Sequence, residues 1–219
     1  ILGLGDSITE GGANFSSYLY PLWEKLFAGG YLADFIGPRQ QQCRIGELSH
    51  AGYSGKTVEF LDYITDSIYR EYPADIVLLH AGHNHFVEEA PISGMIAAYQ
   101  SIIEKIKIVN PDVTILLAQV IPSGKLPKYS YISELNKEIF RIVTERNDPK
   151  VICIDQATGF DWEKYTVDDQ VHPNESGAER MAVVWYESLT KVLPLPCQSF
   201  NPELISYKII GNDTLQMHI

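Results

Sequence analysis

No stretch of this 219-residue chain approaches the roughly 20 consecutive apolar residues that a membrane-spanning helix needs. Basic residues are also short: 17 Lys and Arg stand against 28 Asp and Glu, for a formal net charge of −11. That balance argues against nucleic acid or an anionic membrane surface as partner and suits a neutral substrate. Cysteine is sparse. Three, Cys43, Cys153 and Cys197, leave at least one thiol unpaired, and Cys153 lies in an apolar run at 151–154, where a buried free thiol is the ordinary expectation. Internal repeats and low-complexity tracts are absent. With 45% hydrophobic residues the chain can bury a large core without disulfides or a structural metal. The sequence opens on Ile1 inside an expected strand, without an initiator methionine, which leaves the compartment undecided, a secreted or periplasmic one being favoured over the cytoplasm.

Strand and helix patterns alternate. Short runs rich in Ile, Val and Leu at 1–4, 34–37, 76–80, 113–120 and 151–154 read as five buried strands. Between them, Tyr18, Leu19, Leu22, Trp23, Leu26 and Phe27 recur at helical spacing, as do Val58, Leu61, Ile64, Ile68 and Tyr72. Residues 93–109, 130–146 and 175–193 repeat the pattern. Strands separated by helices imply crossover connections, hence a three-layer α/β/α sandwich around a mainly parallel sheet of five strands. In such sheets chemistry collects at the carboxyl ends of the strands, where Ser7 and Asn84 both fall. The domain is expected over 1–195. Residues 196–219 break the pattern and are expected to form an extension, with 204–210 a candidate for an added strand, an arm or the start of a further module.

Chemistry concentrates in two places. Gly5-Asp6-Ser7-Ile8-Thr9-Glu10-Gly11-Gly12 follows the first apolar run, and Asp169-Gln170-Val171-His172 lies far downstream. A serine hydroxyl is a poor nucleophile at neutral pH, and needs a base within reach and a group that orients the base. His172 fits the base and Asp169 the orienting group, since a spacing of three lets the carboxylate fix the imidazole tautomer. Asp168 is a rival for that role. Ser7 sits where a strand hands over to a helix, so backbone amides and the helix dipole face a developing oxyanion.

At these residues the chain resembles the SGNH hydrolases, also called the GDSL family of esterases and lipases. The first family block is similar to Gly5-Asp6-Ser7-Ile8-Thr9-Glu10-Gly11 and the last, Asp-x-x-His-Pro, to Asp169 through Pro173. Between them, His50-Ala51-Gly52-Tyr53-Ser54-Gly55 offers the second block's glycine, and Gly82-His83-Asn84-His85 the third block's asparagine, with His85 where the family carries aspartate. The resemblance implies the flavodoxin-like SGNH fold, a Ser7, His172, Asp169 triad, an oxyanion hole from Ser7, Gly52 and Asn84, and no cofactor. Asp6, His83 and His85 are the candidates for substrate contact. Residues 17–26 and 33–37 are similar to the branch containing acetyl xylan esterases, which implies removal of small acyl groups, chiefly acetyl, from a small-molecule or polysaccharide sugar ester; residues 18–27 read equally well as core packing on an amphipathic helix.

Other readings remain open beside this one. The same triad would serve an arylesterase, thioesterase or lysophospholipase, and a carbohydrate-binding relative would keep the fold without needing all three residues. His80, His83 and His85 alternate on an extended segment, a pattern that can converge on zinc; the expectation here is no metal, with His80 in the sheet and the other two lining a pocket. Asp168 and Asp169 cannot straddle a sugar ring as a glycosidase pair must, being adjacent.

Overall fold

A computed structural model describes residues 1–194 and, as backbone, the strands Ser206–Ile209 and Leu215–His218. The central sheet has the order β2-β3-β1-β4-β5-β6. Its strands are β1 (Leu2–Gly5), β2 (Arg39–Cys43), β3 (Gly46–Gly52), β4 (Ile76–His80), β5 (Thr114–Gln119) and β6 (Val151–Asp155). All neighbours run parallel except β2, which is antiparallel to β3. Helices α1 (Ser7–Glu10), α2 (Leu19–Ala28), α3 (Val58–Glu71), α4 (Ile92–Val109), α5 (Ile132–Arg146), α6 (Trp162–Tyr165) and α7 (Glu175–Leu189), with a 3-10 turn at Val87–Glu89, complete the described domain.

The strand pleat sorts the apolar residues into two layers. On β4 and β5, Val77, Leu79, Ile115 and Leu117 join the core beneath α3, α4 and α5. Their alternates Ile76, Leu78, Leu116 and Ala118 join a second core with Leu19, Leu22 and Leu26 of α2 and Met181 and Trp185 of α7. On β1 the second face carries glycine. A Cβ at Gly3 would stand 2.9 Å from the Leu19 side chain, and one at Gly5 2.1 Å from Thr9 Oγ1 and 2.2 Å from the His80 carbonyl oxygen. Those two glycines let α1 and α2 close onto the sheet.

The sheet has six strands where five were expected. The 34–37 run forms no strand, only a single parallel bridge from Ile36 to Leu2. Two strands without an apolar run replace it: Arg39–Cys43 is largely exposed on the sheet edge, and Gly46–Gly52 pairs with it through Cys43 opposite Gly46. Backbone hydrogen bonds hold the exposed β2, whereas β3 buries Leu48, His50 and Ala51 among polar and glycine positions, so hydrophobic patterning marks neither strand. Helix positions agree closely with the spacing, and helix starts are capped by Thr57, whose hydroxyl accepts from Phe60 N, and by Asn174, whose side chain accepts from Gly177 N.

In the tail, Ser206–Ile209 and Leu215–His218 pair antiparallel with each other. The remainder of the extension expected over 196–219 lies outside the described residues. Cys43 and Cys153 are free thiols. No helix among the described residues is long and apolar enough to cross a membrane.

Candidate active site

Chain order places the site. After β1 the chain passes along one edge of the sheet to β3, then crosses back to β4 on the other side of β1, so the carboxyl ends of β1, β3 and β4 border one crevice. Ser7 begins α1 there; as the first helical residue its N–H has no intrahelical acceptor. Ser7 Oγ lies 2.7 Å from His172 Nε2, and His172 Nδ1 lies 2.5 Å from Asp169 Oδ2. Asp169 Oδ1 also accepts from Val171 N at 2.8 Å and His172 N at 2.9 Å. Burial opposes ionisation of Asp169, but the His172 side chain and these amides outweigh it and hold its pKa below the ordinary carboxylate value. An ionised carboxylate only accepts, so His172 Nδ1 carries the proton and Nε2 is left to accept from the Ser7 hydroxyl. Asp168 is exposed and makes none of these bonds.

Two features not legible in the motif steady His172. The loop turns through Gln170 at a φ of 62°, and the Gln170 carbonyl accepts from Ser123 Oγ at 2.7 Å and Gly124 N at 3.0 Å. The Phe15 ring stacks on the imidazole, centroids 4.0 Å apart and planes at 21°. A lone phenylalanine between glycines and serines carries no sequence signal for that contact.

The expected oxyanion donors come from three turns. Gly52 ends β3, and its N–H donates to His50 Nδ1 at 3.1 Å. Asn84 follows β4; its Nδ2 donates to the Lys56 carbonyl at 2.9 Å. Buried tyrosines hold the Asn84 loop from below, Tyr99 donating to the Ala81 carbonyl and Tyr131 to the Gly82 carbonyl at 2.7 Å.

The three residues expected to contact substrate are each engaged within the protein. Asp6 is fully buried: Oδ1 accepts from Ile8 N at 3.0 Å as the cap of α1, and Oδ2 from Gly82 N at 3.3 Å. It ties the serine turn to the asparagine loop. His83 is also buried, its Nε2–H donating to the Ile121 carbonyl at 2.9 Å. His85 is clasped between Glu59 Oε2 at 2.9 Å and Glu89 Oε2 at 2.7 Å. His80 lies inside the sheet, where burial lowers its pKa to about 3. Among the described residues no three His, Cys, Asp or Glu side chains are grouped to hold a metal ion.

An α/β sandwich with a serine, histidine and aspartate joined in series at its strand ends defines a class of acyl-transferring hydrolases. The model of the GDSL-like lipase/acylhydrolase family matches residues 4–180, and the chain belongs to that family. Among curated proteins none matches by sequence. Solved structures do: a carbohydrate esterase family 3 protein from Talaromyces cellulolyticus has a TM-score of 0.76 at 21% identity, covering 87% of this chain and 96% of that one. A family 3 carbohydrate esterase from Clostridium thermocellum has a TM-score of 0.74 at 25% identity, covering 88% and 98%. A mutant acetyl esterase with an acetate ion has a TM-score of 0.76 at 22% identity, covering 87% and 96%. The protein is a carboxylic ester hydrolase of the acylhydrolase type.

Proposed function

We propose that this acylhydrolase is a serine esterase that removes small acyl groups, chiefly acetyl, from carbohydrate hydroxyls. The observation that carries the catalytic part is the unbroken series Ser7 Oγ, His172 Nε2, His172 Nδ1, Asp169 Oδ2 at 2.7 and 2.5 Å. Ser7 Oγ attacks the ester carbonyl as His172 Nε2 takes its proton, and Asp169 holds the resulting imidazolium. The oxyanion is received by the Ser7 and Gly52 amides and the Asn84 side chain. His172 then gives its proton to the departing sugar oxygen, leaving acetyl on Ser7. Water, deprotonated by the same nitrogen, releases acetate and restores the hydroxyl.

The acyl and sugar assignment is supported by the family 3 carbohydrate esterases and the acetyl esterase among the similar folds, and the net charge of −11 suits a neutral sugar ester better than a nucleic acid. Acetylated mono- and oligosaccharides, p-nitrophenyl esters of rising chain length and acyl thioesters, compared by kcat/KM, test it. Preference for acetyl on sugar is expected; a higher kcat/KM for long acyl chains or thioesters would move the assignment to a lipase or thioesterase.

A further inference from the structure

The edge strand β2, which hydrophobic patterning does not mark, carries Arg39 to the rim of the site. Arg39 Nη2 pairs with Glu10 Oε1 at 3.1 Å, while Arg39 Nη1 donates to the Gly52 carbonyl at 3.1 Å. The guanidinium carbon also lies 5.1 Å from the centroid of the Tyr53 ring. Glu10 Oε2 accepts from Ser54 N at 2.5 Å, and Tyr53 N donates to the Gly5 carbonyl at 2.9 Å. Residues 52, 53 and 54 are thus each tied down, two of them by this ion pair. Glu10 is the last residue of α1, the helix that Ser7 begins.

We propose that Glu10 and Arg39 are positioning residues for the oxyanion hole, locking the turn that carries the Gly52 amide against the helix that carries the nucleophile. The reach extends to the other expected donor. Lys56 N donates to the Tyr53 carbonyl at 3.2 Å, and the Lys56 carbonyl receives Asn84 Nδ2. One turn therefore sets both the Gly52 amide and the Asn84 amide group relative to Ser7. Glu10 is 19% and Arg39 41% exposed at the side chain, so as a surface ion pair they add little to stability. Their effect lies in geometry, because a displacement of about 1 Å in such a site costs on the order of 100-fold in rate. Neither residue has to touch the reacting atoms for this.

The proposal rests on the acyl-transfer reading above, and the test separates the two. Arg39→Met keeps the stem without the guanidinium; Arg39→Lys restores the charge; Glu10→Gln keeps an acceptor for Ser54 N but loses the ion pair. Arg39→Met should lower kcat about tenfold to 100-fold with KM within about twofold, Arg39→Lys should recover part of the loss, and Glu10→Gln should fall between. Binding of a trifluoromethyl ketone analogue of the acetyl ester should weaken in step with kcat/KM, while KM for the neutral ester stays within about twofold. Joining Glu10→Gln to Arg39→Met should add little beyond the worse single change, as both loosen one turn. Folded Arg39→Met and Glu10→Gln proteins with wild-type kcat would overturn the clamp, as would a loss confined to KM. If Ser7→Ala is inactive in the same assay the acyl-transfer reading stands whatever these variants do; if it is active, both fall.

Discussion

The amide of Gly52 donates to Nδ1 of His50 at 3.1 Å, so an expected oxyanion donor has a partner within its own turn. Burial lowers the His50 pKa and keeps the ring neutral, the state in which Nδ1 accepts. In the proposed mechanism the oxyanion competes with this neutral acceptor for the Gly52 amide. A negative oxygen is the better partner.

Gly52 is constrained on its other side as well. A Cβ there would stand 2.5 Å from the amide nitrogen of Glu10 and 2.7 Å from its Cα. Backbone cannot step aside as a flexible side chain can. Gly52→Ala should therefore push β3 away from α1, destabilising by about 1–3 kcal/mol and reducing turnover even where the protein remains folded. Thermal unfolding and kcat measured on one preparation check this; an alanine variant matching wild type in both would show that β3 and α1 tolerate a side chain between them.

Asn84, the proposed side-chain donor to the oxyanion, has one of its two amide hydrogens taken by the Lys56 carbonyl. The other is free to meet an oxygen that bears charge only during reaction. Asn84→Ala should lower kcat by ~10²- to 10³-fold with a far smaller change in KM. Steady-state kinetics decide, and a defect in KM alone would make Asn84 a ground-state contact.

Phe15 covers one face of His172. In the proposed mechanism that imidazole becomes a cation, which the ring's negative face attracts by about 0.5–1 kcal/mol at a partly open site. Phe15→Leu keeps apolar cover and loses the π face, so kcat should fall about two- to fivefold, while Phe15→Ala, which also unpacks the ring, should fall further. Equal rates for the leucine variant and wild type would leave the contact as packing only.

His80 contributes to the expected acid sensitivity together with His50 and His83, whose pKa values burial also lowers. Burial lowers its pKa from 6.5 to about 3, and neither ring nitrogen has a hydrogen-bond partner. Between those values the unfolded chain binds a proton that the native state refuses, so this part of the stability is fully present above pH ~6.5 and is lost as pH falls toward 3. His80→Leu should flatten the decline of Tm between pH 6.5 and 4 without impairing the triad. An unchanged Tm profile would mean that His80 is not a source of the decline.

The nucleophile turn and the Asp-x-x-His segment were legible because each is a local string whose chemistry depends on close spacing, and the helices because α2, α3 and α5 bury one stripe. Arg39 and Glu10 were not legible as a pair. Nothing in Arg-Gln-Gln-Gln-Cys reads as a strand, and only the fold brings residue 39 beside residue 10. The burial of Asp6 and His83 was not legible for a related reason: backbone groups of Ile8, Gly82 and Ile121 satisfy them in the interior, and only the fold brings Gly82 and Ile121 to them.

In the proposed mechanism Ser7 Oγ is the atom acylated in turnover. Intact mass spectrometry after treatment with a phosphonofluoridate, beside activity on an acetylated sugar, tests it directly. Wild type should gain one adduct, mapped to Ser7, and lose activity in proportion. Folded Ser7→Ala should gain none and turn over at least ~10³-fold more slowly. An adduct on another residue, or a folded Ser7→Ala protein that keeps more than about a tenth of wild-type activity, a barrier change under ~1.4 kcal/mol, would contradict the account.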